Sequence, residues 1–384
     1  MTKYDANAID LLSDIEQIRQ RPHMWVGDAD QIGHFVIFKE IIDNALDEAV
    51  SGHADKITVI LDEDHKGVTI EDNGRGIPFD LHPKSGISAL ATVFAFSKSG
   101  AKYNKESYGI SIGTHGVGST CTNALSELFE ATSWRGKKSA TVSFKKGIMV
   151  GKDAVISDES KNKHGTKVHF RPDYADIFKD VSGYTESQIK DRLEQAAHLL
   201  KNVDIFFAVG KAKPEKIQCL GIAGLVKNKT TALNVLNVSE EIAWEGKKIS
   251  INIDLAFGWG SSDGTIDSFV NLSRTKDGGQ HQVGFENALT GFLLDRAKNK
   301  CSSKEILENL DCALHITHPG PQFNSQTKDK LNNKGLAAQI EELILPHLKS
   351  WARKNAQAVD AFLANAVVLY EQREAMKDLK KAQK

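Results

Sequence analysis

Hydrophobic residues recur along the chain with two periods, one typical of helices and the other of strands. In residues 38–49 the apolar positions follow i, i+3, i+4 and i+7 spacing, which predicts an amphipathic helix packed on a core. Residues 56–61 and 67–71 are β-rich and joined by a polar run, which predicts a hairpin. A second apolar-periodic run at 119–125 follows a glycine-rich stretch and predicts another helix.

A polar, proline-containing segment at 210–216 divides these patterns from those that follow, and it predicts a hinge. We therefore expect two domains, residues 1–216 and 217–384, in a chain long enough to build two cores. The elements predicted beyond the hinge are strands at 248–257, 265–273 and 313–317 and a helix at 282–298. After Leu331 the apolar spacing continues almost to the end and is expected to break at Pro346, which predicts one or two long helices.

Charge and cysteine content exclude several classes of protein. The 49 basic and 50 acidic residues almost cancel, so any contact with DNA is expected to be weak, non-specific and salt-dependent. Four scattered cysteines suit neither a zinc cluster nor a disulfide framework and indicate a reducing cytoplasm. The sequence has no apolar run of ~18 residues and no secretory leader, so neither membrane insertion nor secretion is expected.

The first predicted helix carries polar residues that suit metal and proton chemistry. Glu40, Asn44 and Asp47 fall within about 60° of one another, opposite the apolar face. A carboxylate can take a proton from water, and a neutral amide oxygen can complete the oxygen shell of Mg²⁺. The alternative interpretation of such a stripe is a solvated polar face.

The predicted hairpin ends at a carboxylate that is followed by glycines. Asp72 leaves the second strand, Asn73-Gly-Arg-Gly76 forces a tight turn, and Ile77-Pro78 ends it. A carboxylate in this position can accept a hydrogen bond from the amino group of adenine, while bare backbone lets the ring approach closely. The alternative is an ordinary hairpin turn, for which Asp-Asn-Gly is a common sequence.

Glycines also precede the helix predicted at 119–125. In Gly113-Thr-His-Gly116-Val-Gly118, glycines that open a helix leave free N–H groups, which suit phosphate oxygens. Neither a P-loop nor a dinucleotide-binding fingerprint occurs in the sequence. Together with Gly165-Thr166, these blocks can form an ATP site of another kind.

These blocks resemble those of the N-terminal ATPase fragment of bacterial-type type IIA topoisomerase large subunits (DNA gyrase B or topoisomerase IV). Histidine kinases, MutL proteins and a heat-shock chaperone share the first four blocks as members of the wider GHKL group, whereas Gln326-Thr-Lys328 narrows the resemblance to topoisomerases. The further similar segments are Tyr4-Asp5 with Ile9, Arg19-Gln-Arg-Pro22-His-Met-Trp25-Val-Gly27, Asn123-Ala-Leu-Ser126, Arg274-Thr-Lys-Asp-Gly-Gly279 and Ser325-Gln326-Thr-Lys328-Asp-Lys-Leu331. The resemblance implies an α+β fold: a GHKL (Bergerat) α/β sandwich, then a transducer domain with a ribosomal-protein-like α+β fold and a long C-terminal helix.

The resemblance also implies roles for individual residues. Glu40 would be the general base that polarises the attacking water, and Asn44 a Mg²⁺ ligand. Asp72, assisted by Thr166, would bind the adenine amino group. The remaining implied contacts with nucleotide are Gly76 and Ile77 in the base pocket, Lys102, Gly116, Val117 and Gly118 in the lid and phosphate loop, Gln326 and Lys328 on the γ-phosphate, and Tyr4 from the partner's arm. Arg75 and Arg135 match pocket-rim arginines associated with aminocoumarin inhibitors.

The implied function is an ATP-binding and hydrolysing gate that uses ATP and Mg²⁺, closes its lid over the nucleotide and dimerises through exchanged N-terminal arms. Neither a Glu-Gly-Asp-Ser block nor a breakage–reunion domain is found in the sequence, so DNA cleavage is expected to need a separate subunit or domain. Two alternatives stay open, a MutL-like repair ATPase and a nucleotide-binding module without significant turnover. Gly100-Ala101-Lys102, Gly109 and Ile112-Gly113-Thr114 depart from the family pattern and predict a stiffer lid with weaker attraction for phosphate.

Overall fold

The chain folds into two units, Met1–Cys219 and Leu220–Lys384. A computed structural model describes residues 12–97, 99, 116–158, 163–227, 232–260, 264–324 and 328–382, and the elements and contacts below are those of these residues. No helix in these ranges is both long enough and apolar enough to cross a membrane.

The first unit combines helices with a mixed β-sheet. Its helices, within the described residues, are α1 (Asp14–Gln20), α2 (His23–Val26), α3 (Gln31–Val50), α4 (Ala89–Ala95), α5 (Gly118–Ala124) and α6 (Glu186–Leu199). Its strands are β1 (Lys56–Leu61), β2 (Val68–Asp72), β3 (Ser126–Arg135), β4 (Lys138–Lys145), β5 (Ile148–Met149), β6 (Val155–Ser157), β7 (Gly165–Pro172), β8 (Asp204–Val209) and β9 (Glu215–Lys216).

The sheet of the first unit brings the ends of distant segments together. Its order is β5-β4-β3-β7-β2-β1-β8-β9, and β6 also pairs with β4. The predicted hairpin is confirmed, because β1 and β2 are antiparallel neighbours. On its other side β2 pairs with β7, so Asp72 lies directly opposite Thr166 although the two are far apart in sequence.

Helix α3 forms as the apolar spacing predicts. The side chain of Asp30 caps its N-terminus by accepting from the amides of Ile32 and Gly33, which satisfies donors that have no partner within the helix. Its apolar face is buried, including Phe38 and Ile42, and burial of such side chains is worth about 1.5–3 kcal/mol each. The helix is therefore fixed against the sheet by its hydrophobic face.

The second unit also combines a sheet with helices. Its strands are β10 (Asn234–Trp244), β11 (Lys247–Trp259), β12 (Ile266–Val270), β13 (Ser273–Arg274) and β14 (Leu310–Thr317), in the order β10-β11-β14-β12-β13. The helices, within the described part of this unit, are α7 (Gln280–Arg296), α8 (Ser303–Leu307), α9 (Leu336–Lys354) and α10 (Ala356–Ala382). Their apolar faces share one core with the sheet, so the α+β class expected from the resemblance is confirmed.

Two expectations for the second unit are wrong in detail. The strand predicted over 265–273 is two strands, because Asn271 takes a left-handed φ of 54° and turns β12 back into β13. Pro346 does not interrupt the helix, since α9 runs through it and ends at Lys354. Pro346 is exposed, so water can satisfy the carbonyl that loses its partner, while Ile344 and Leu348 stay buried on the opposite face.

The predicted hinge also contains regular structure. Residues 215–216 form β9, which pairs with β8 at the edge of the first sheet. The first unit extends beyond them to Cys219.

Candidate nucleotide site

The polar face of α3 is not a solvated stripe. Asp47 is fully buried, and Glu40 and Asn44 are half-buried. The amide group of Asn44 donates to Oγ of Ser119 at 2.9 Å, which ties α3 to the first turn of α5. The face therefore lies against α5 and not against bulk water.

Helix α5 is held in place by hydroxyl and amide side chains. Thr122 Oγ1 donates to the carbonyl of Ile37 on α3 at 3.0 Å, and Asn123 Nδ2 donates to the carbonyl of Phe94 on α4 at 3.0 Å. Both side chains are fully buried, where an unmade hydrogen bond costs about 1–3 kcal/mol. These bonds fix the last turn of α5 relative to α3 and α4.

Gly118, the first residue of α5, lies against the carboxylate of Glu40. A Cβ at this position would overlap Oε2 of Glu40, so only glycine leaves room for the carboxylate here. No side chain of a described residue caps this end of α5. Gly116 has a φ of 61°, which glycine adopts without strain.

Asp72 ends β2 and is buried, with 7% of its surface exposed. The pKa of its carboxyl group is raised to about 7, chiefly by burial and to a smaller extent by the nearby charge of Glu48, while hydrogen bonds from the amides of Gly74 and Thr166 oppose the shift. The amide of Gly74 lies 2.8 Å from Oδ1. The group is thus a buried hydrogen-bonding carboxyl whose protonation changes near neutral pH.

The turn after Asp72 is packed tightly against the ends of β3 and β7. Gly76 has a φ of 70°, and a Cβ there would overlap the carbonyl oxygen of Trp134. The hydroxyl of Ser133 donates to the carbonyl of Ile77 at 2.7 Å, and Arg135 donates to the carbonyl of Gly76 at 3.0 Å. The backbone of this turn is therefore fixed beside Asp72.

Sequence reasoning missed Glu48, which organises the same turn. Its carboxylate accepts from the backbone amide of Arg75 and binds the guanidinium of that residue at 2.7 Å. A signal was present, because Glu40, Asn44 and Glu48 follow one another at i, i+4 and i+8 on α3. Glu48 thus joins the polar face of the helix to the loop after Asp72.

The first unit brings most of the predicted site residues together in two groups along the polar face of α3. Glu40, Asn44 and Gly118 lie at the α5 side. Asp72, Gly76, Ile77 and Thr166 lie at the strand-end side. Gly116 and Val117 directly precede α5. Lys328 belongs to the second unit, in the segment between β14 and α9, and Tyr4, Lys102 and Gln326 lie outside the described residues.

Two family models match different parts of the chain. Residues 29–176 match a model described as "Histidine kinase-, DNA gyrase B-, and HSP90-like ATPase". Residues 221–382 match a model described as "DNA gyrase B". Each match falls within one structural unit.

Individual relatives agree with both models. The chain is 32% identical to the DNA gyrase B protein of Mycoplasma genitalium, over 96% of this chain and 60% of that protein. It is 34% identical to the DNA gyrase B protein of Borreliella burgdorferi, over 99% of this chain and 61% of the relative. The chain thus spans about three fifths of the length of these relatives.

A solved structure matches the fold over nearly the whole chain. The 43K ATPase domain of Thermus thermophilus gyrase B, solved in complex with an aminocoumarin, superposes with a TM-score of 0.75 at 27% identity and covers 97% of this chain and 98% of that one. These matches favour the topoisomerase interpretation over the MutL-like alternative. The chain belongs to the DNA gyrase B family, with a GHKL ATPase fold in its first unit.

Proposed function

We propose that this chain is the ATP-operated gate of a type IIA DNA topoisomerase, and that it binds and hydrolyses ATP. The observation that carries the proposal is a pair of polar groups at two places along the polar face of α3. At one place the Glu40 carboxylate lies against the glycine that opens α5. At the other, near Glu48, a buried carboxyl group, Asp72, lies opposite Thr166 at a strand end.

The strand-end side suits adenine. Ionised Asp72 accepts hydrogen bonds, as recognition of the exocyclic amino group requires. The left-handed turn at Gly76 fixes the backbone beside Asp72 against the ends of β3 and β7, and Gly76 and Ile77 of this turn would line the base pocket. Arg75 and Arg135, held by Glu48 and by the Gly76 carbonyl, would form the rim of this base pocket.

The α5 side suits the phosphates and the hydrolytic step. The N–H groups of Gly116, Val117 and Gly118 would bind phosphate oxygens. Glu40 would accept a proton from water as the water oxygen attacks the γ-phosphorus; the bond to the β–γ bridging oxygen then breaks, and ADP and phosphate leave. Lys328, and Gln326 beside it in sequence, would reach the γ-phosphate from the second unit, where a cation stabilises the charge of the transition state.

The donor set on this side also fits Mg²⁺. The Glu40 carboxylate, the Asn44 amide and the Ser119 hydroxyl supply oxygen atoms close to one another, and Mg²⁺ prefers oxygen ligands. We assign Asn44 as the residue that would hold the ion. Bound Mg²⁺ would neutralise phosphate charge.

The proposed gate works in the cytoplasm as part of a larger assembly. ATP binding would favour a homodimer, in which Tyr4 of one copy contacts the nucleotide of the other. DNA passage would need a DNA-cleaving subunit or domain, and DNA contacts of this chain would be weak and non-specific, given its near-zero net charge.

The test is Mg²⁺-dependent phosphate release by the parent chain and by Glu40→Gln, with ATP affinity measured separately by calorimetry. Glutamine keeps the size and polarity of Glu40 but cannot act as the base. We expect unchanged ATP affinity and a fall in turnover of about 10²- to 10⁴-fold.

A Gln195→Ala variant serves as the control, because Gln195 lies on α6 and not on the faces that form the site. It should match the parent in both assays. If the parent and Glu40→Gln bind ATP but release phosphate equally slowly, the chain is a nucleotide-binding module without significant turnover, and the enzymatic proposal is wrong.

A further inference from the structure

The segment that carries Lys328 is anchored at its base by buried polar side chains. It leaves β14 at Thr317 and returns to the start of α9 at Leu336. Asn271, His318 and Asn333 border this segment and expose at most 4% of their surface. Buried amides and imidazoles are retained at little cost only when they are hydrogen-bonded.

The segment has an outgoing limb, residues 318–324, and a returning limb, residues 328–335. Asn333 in the returning limb ties it to the outgoing limb. Its Oδ1 accepts from the backbone amide of Gln322 at 2.7 Å, and its Nδ2 donates to the carbonyl of Gly320 at 2.9 Å. Nearer to Lys328, the amide of Asn324 donates to the carbonyl of Lys330 at 3.1 Å. The buried side chain of Asn333 thus bridges the two limbs at the point where hydrogen bonds between their backbones begin.

Asn271 and His318 hold the outgoing limb from the other side. The amide of His318 donates to Oδ1 of Asn271 at 2.9 Å, and Nδ2 of Asn271 donates to the carbonyl of His318 at 3.1 Å. Nδ1 of His318 accepts from the amide of Gly320 at 3.0 Å. The ring of His318 meets Trp244 edge-on, with centroids 5.0 Å apart, so the outgoing limb is fixed to the sheet.

The turn before α7 holds the returning limb. The amide of Asp277 donates to the carbonyl of Asp329 at 2.9 Å, and the amide of Leu331 donates to the carbonyl of Gly278 at 3.1 Å. A Cβ on Gly279 would overlap the backbone of Leu331. Lys328 itself has a left-handed φ of 60°, a conformation that costs about 1–3 kcal/mol and persists when its surroundings impose it.

We propose that Asn333 is a positioning residue that fixes the placement of Lys328 for ATP hydrolysis. The inference rests on the proposed function, in which Lys328 acts on the γ-phosphate. The hydrogen bonds of the Asn333 side chain go to Gln322 and Gly320 and not to Lys328. Asn333 would therefore act on Lys328 indirectly, by holding the two limbs in register at the base of the segment. Loss of its two hydrogen bonds would leave the Gln322 amide and the Gly320 carbonyl without these partners and let the limbs shift.

The test compares steady-state ATP hydrolysis by four variants of the full chain. Asn333→Ala should lower kcat by about ten- to a hundredfold, because a shift of about 1 Å in a catalytic group has an effect of that size. KM for ATP should change little, because the groups assigned to adenine lie in the first unit. Asn332→Ala is the matched control: Asn332 is exposed and its side chain makes no hydrogen bond with a described residue, so its kcat should equal that of the parent.

The remaining variants are Lys328→Ala and the double variant Lys328→Ala/Asn333→Ala. If Asn333 acts through Lys328, the double variant should be no slower than Lys328→Ala alone, since interacting sites are not additive. A further fall of tenfold in the double variant would mean general structural damage and would overturn the proposal. An unchanged kcat in Asn333→Ala would do the same.

Failure of the proposed function gives a different pattern. If Lys328→Ala hydrolyses ATP at the parental rate, the assigned role of Lys328 is wrong, and so is the positioning role of Asn333.

Hydrogen exchange at the amides of Gly320, Gln322 and Leu331 tests the anchor independently of turnover. Asn333→Ala should speed this exchange at least tenfold, and Asn332→Ala should not. Should Asn333→Ala not fold, Asn333→Ser, whose hydroxyl can replace one of the two bonds, must show an intermediate exchange rate; a parental rate contradicts the anchor.

Discussion

Asp72 shows how one buried carboxyl group can connect fold stability to nucleotide binding. Its pKa, raised from 3.8 to about 7 by burial, means that the folded state favours the protonated form. The resulting stabilisation is present below about pH 3.8 and is lost as the pH rises towards about 7. Adenine requires the opposite form, the ionised acceptor. Nucleotide binding should therefore lower the pKa of Asp72 and release a proton near neutral pH.

Carbon-13 NMR of the aspartate carboxyl groups measures this pKa directly. We expect one carboxyl to titrate near pH 7 in the free protein and to remain ionised at that pH when ATP is bound. Asp72→Asn identifies the resonance, since that signal alone should vanish. A free-state pKa close to 3.8 would show that the carboxyl is not buried as described.

Gly118 gives a second prediction for a single residue. Gly118→Ala would introduce a Cβ that overlaps the Glu40 carboxylate, so the carboxylate must move away from the start of α5. We expect turnover to fall by about a hundredfold, as for other small displacements of catalytic groups. Calorimetry with adenosine should give a parental affinity, because the strand-end side is untouched. Parental phosphate release in this variant would remove Glu40 from the proposed position.

Among the secondary-structure elements, the sequence predicts best where apolar spacing alone decides the outcome. Helix α3 and the β1–β2 hairpin form as expected, because both bury a regular hydrophobic face. The turn at Asn271 was missed, since it depends on hydrogen bonds to His318, which lies 47 residues away. The passage of α9 through Pro346 was missed because it depends on which face of the helix is solvated.

In the candidate site, too, some residues could be predicted from the sequence and others could not. Glu40, Asn44 and Asp72 could be selected because the sequence blocks that contain them resemble those of type IIA topoisomerases; their residue types and spacing alone left a solvated face and an ordinary turn as alternatives. The spacing of Glu48 places it on the same face of α3 as Glu40 and Asn44, but its role could not be predicted, because its partner Arg75 lies outside the helix and becomes a neighbour only through folding. Side chains that support the site are thus harder to predict than those assigned to touch the ligand.

Helix α7 contains two glycines that should respond oppositely to the same substitution. At Gly291 a Cβ would meet open space, so Gly291→Ala should stabilise the fold by about 0.5–1 kcal/mol through helix propensity. At Gly284 a Cβ would overlap the carbonyl of Ala337 on α9, so Gly284→Ala should destabilise it by about 1–3 kcal/mol. Urea unfolding of both variants measures the difference. Equal shifts would mean that α7 and α9 do not pack closely at Gly284.

At the scale of the whole molecule, the groups assigned to one nucleotide are divided between two units. Glu40 and Asp72 belong to the first unit, and Lys328 belongs to the second. ATP and ADP differ at the γ-phosphate, so only groups that contact that phosphate can favour one conformation with ATP and another with ADP. If Lys328 contacts the γ-phosphate as proposed, the conformation that the protein favours therefore depends on whether ATP or ADP is bound.

The proposed dimer follows from the same dependence and can be tested by light scattering after size exclusion. The parent chain should be monomeric alone or with ADP, and should reach twice its mass with a non-hydrolysable ATP analogue and Mg²⁺. Lys328→Ala should stay monomeric with the analogue while still binding it, because it lacks the proposed contact that distinguishes ATP from ADP. Asn332→Ala should dimerise like the parent. A dimer that forms equally with ADP, or that persists in Lys328→Ala, would mean that the γ-phosphate does not control association.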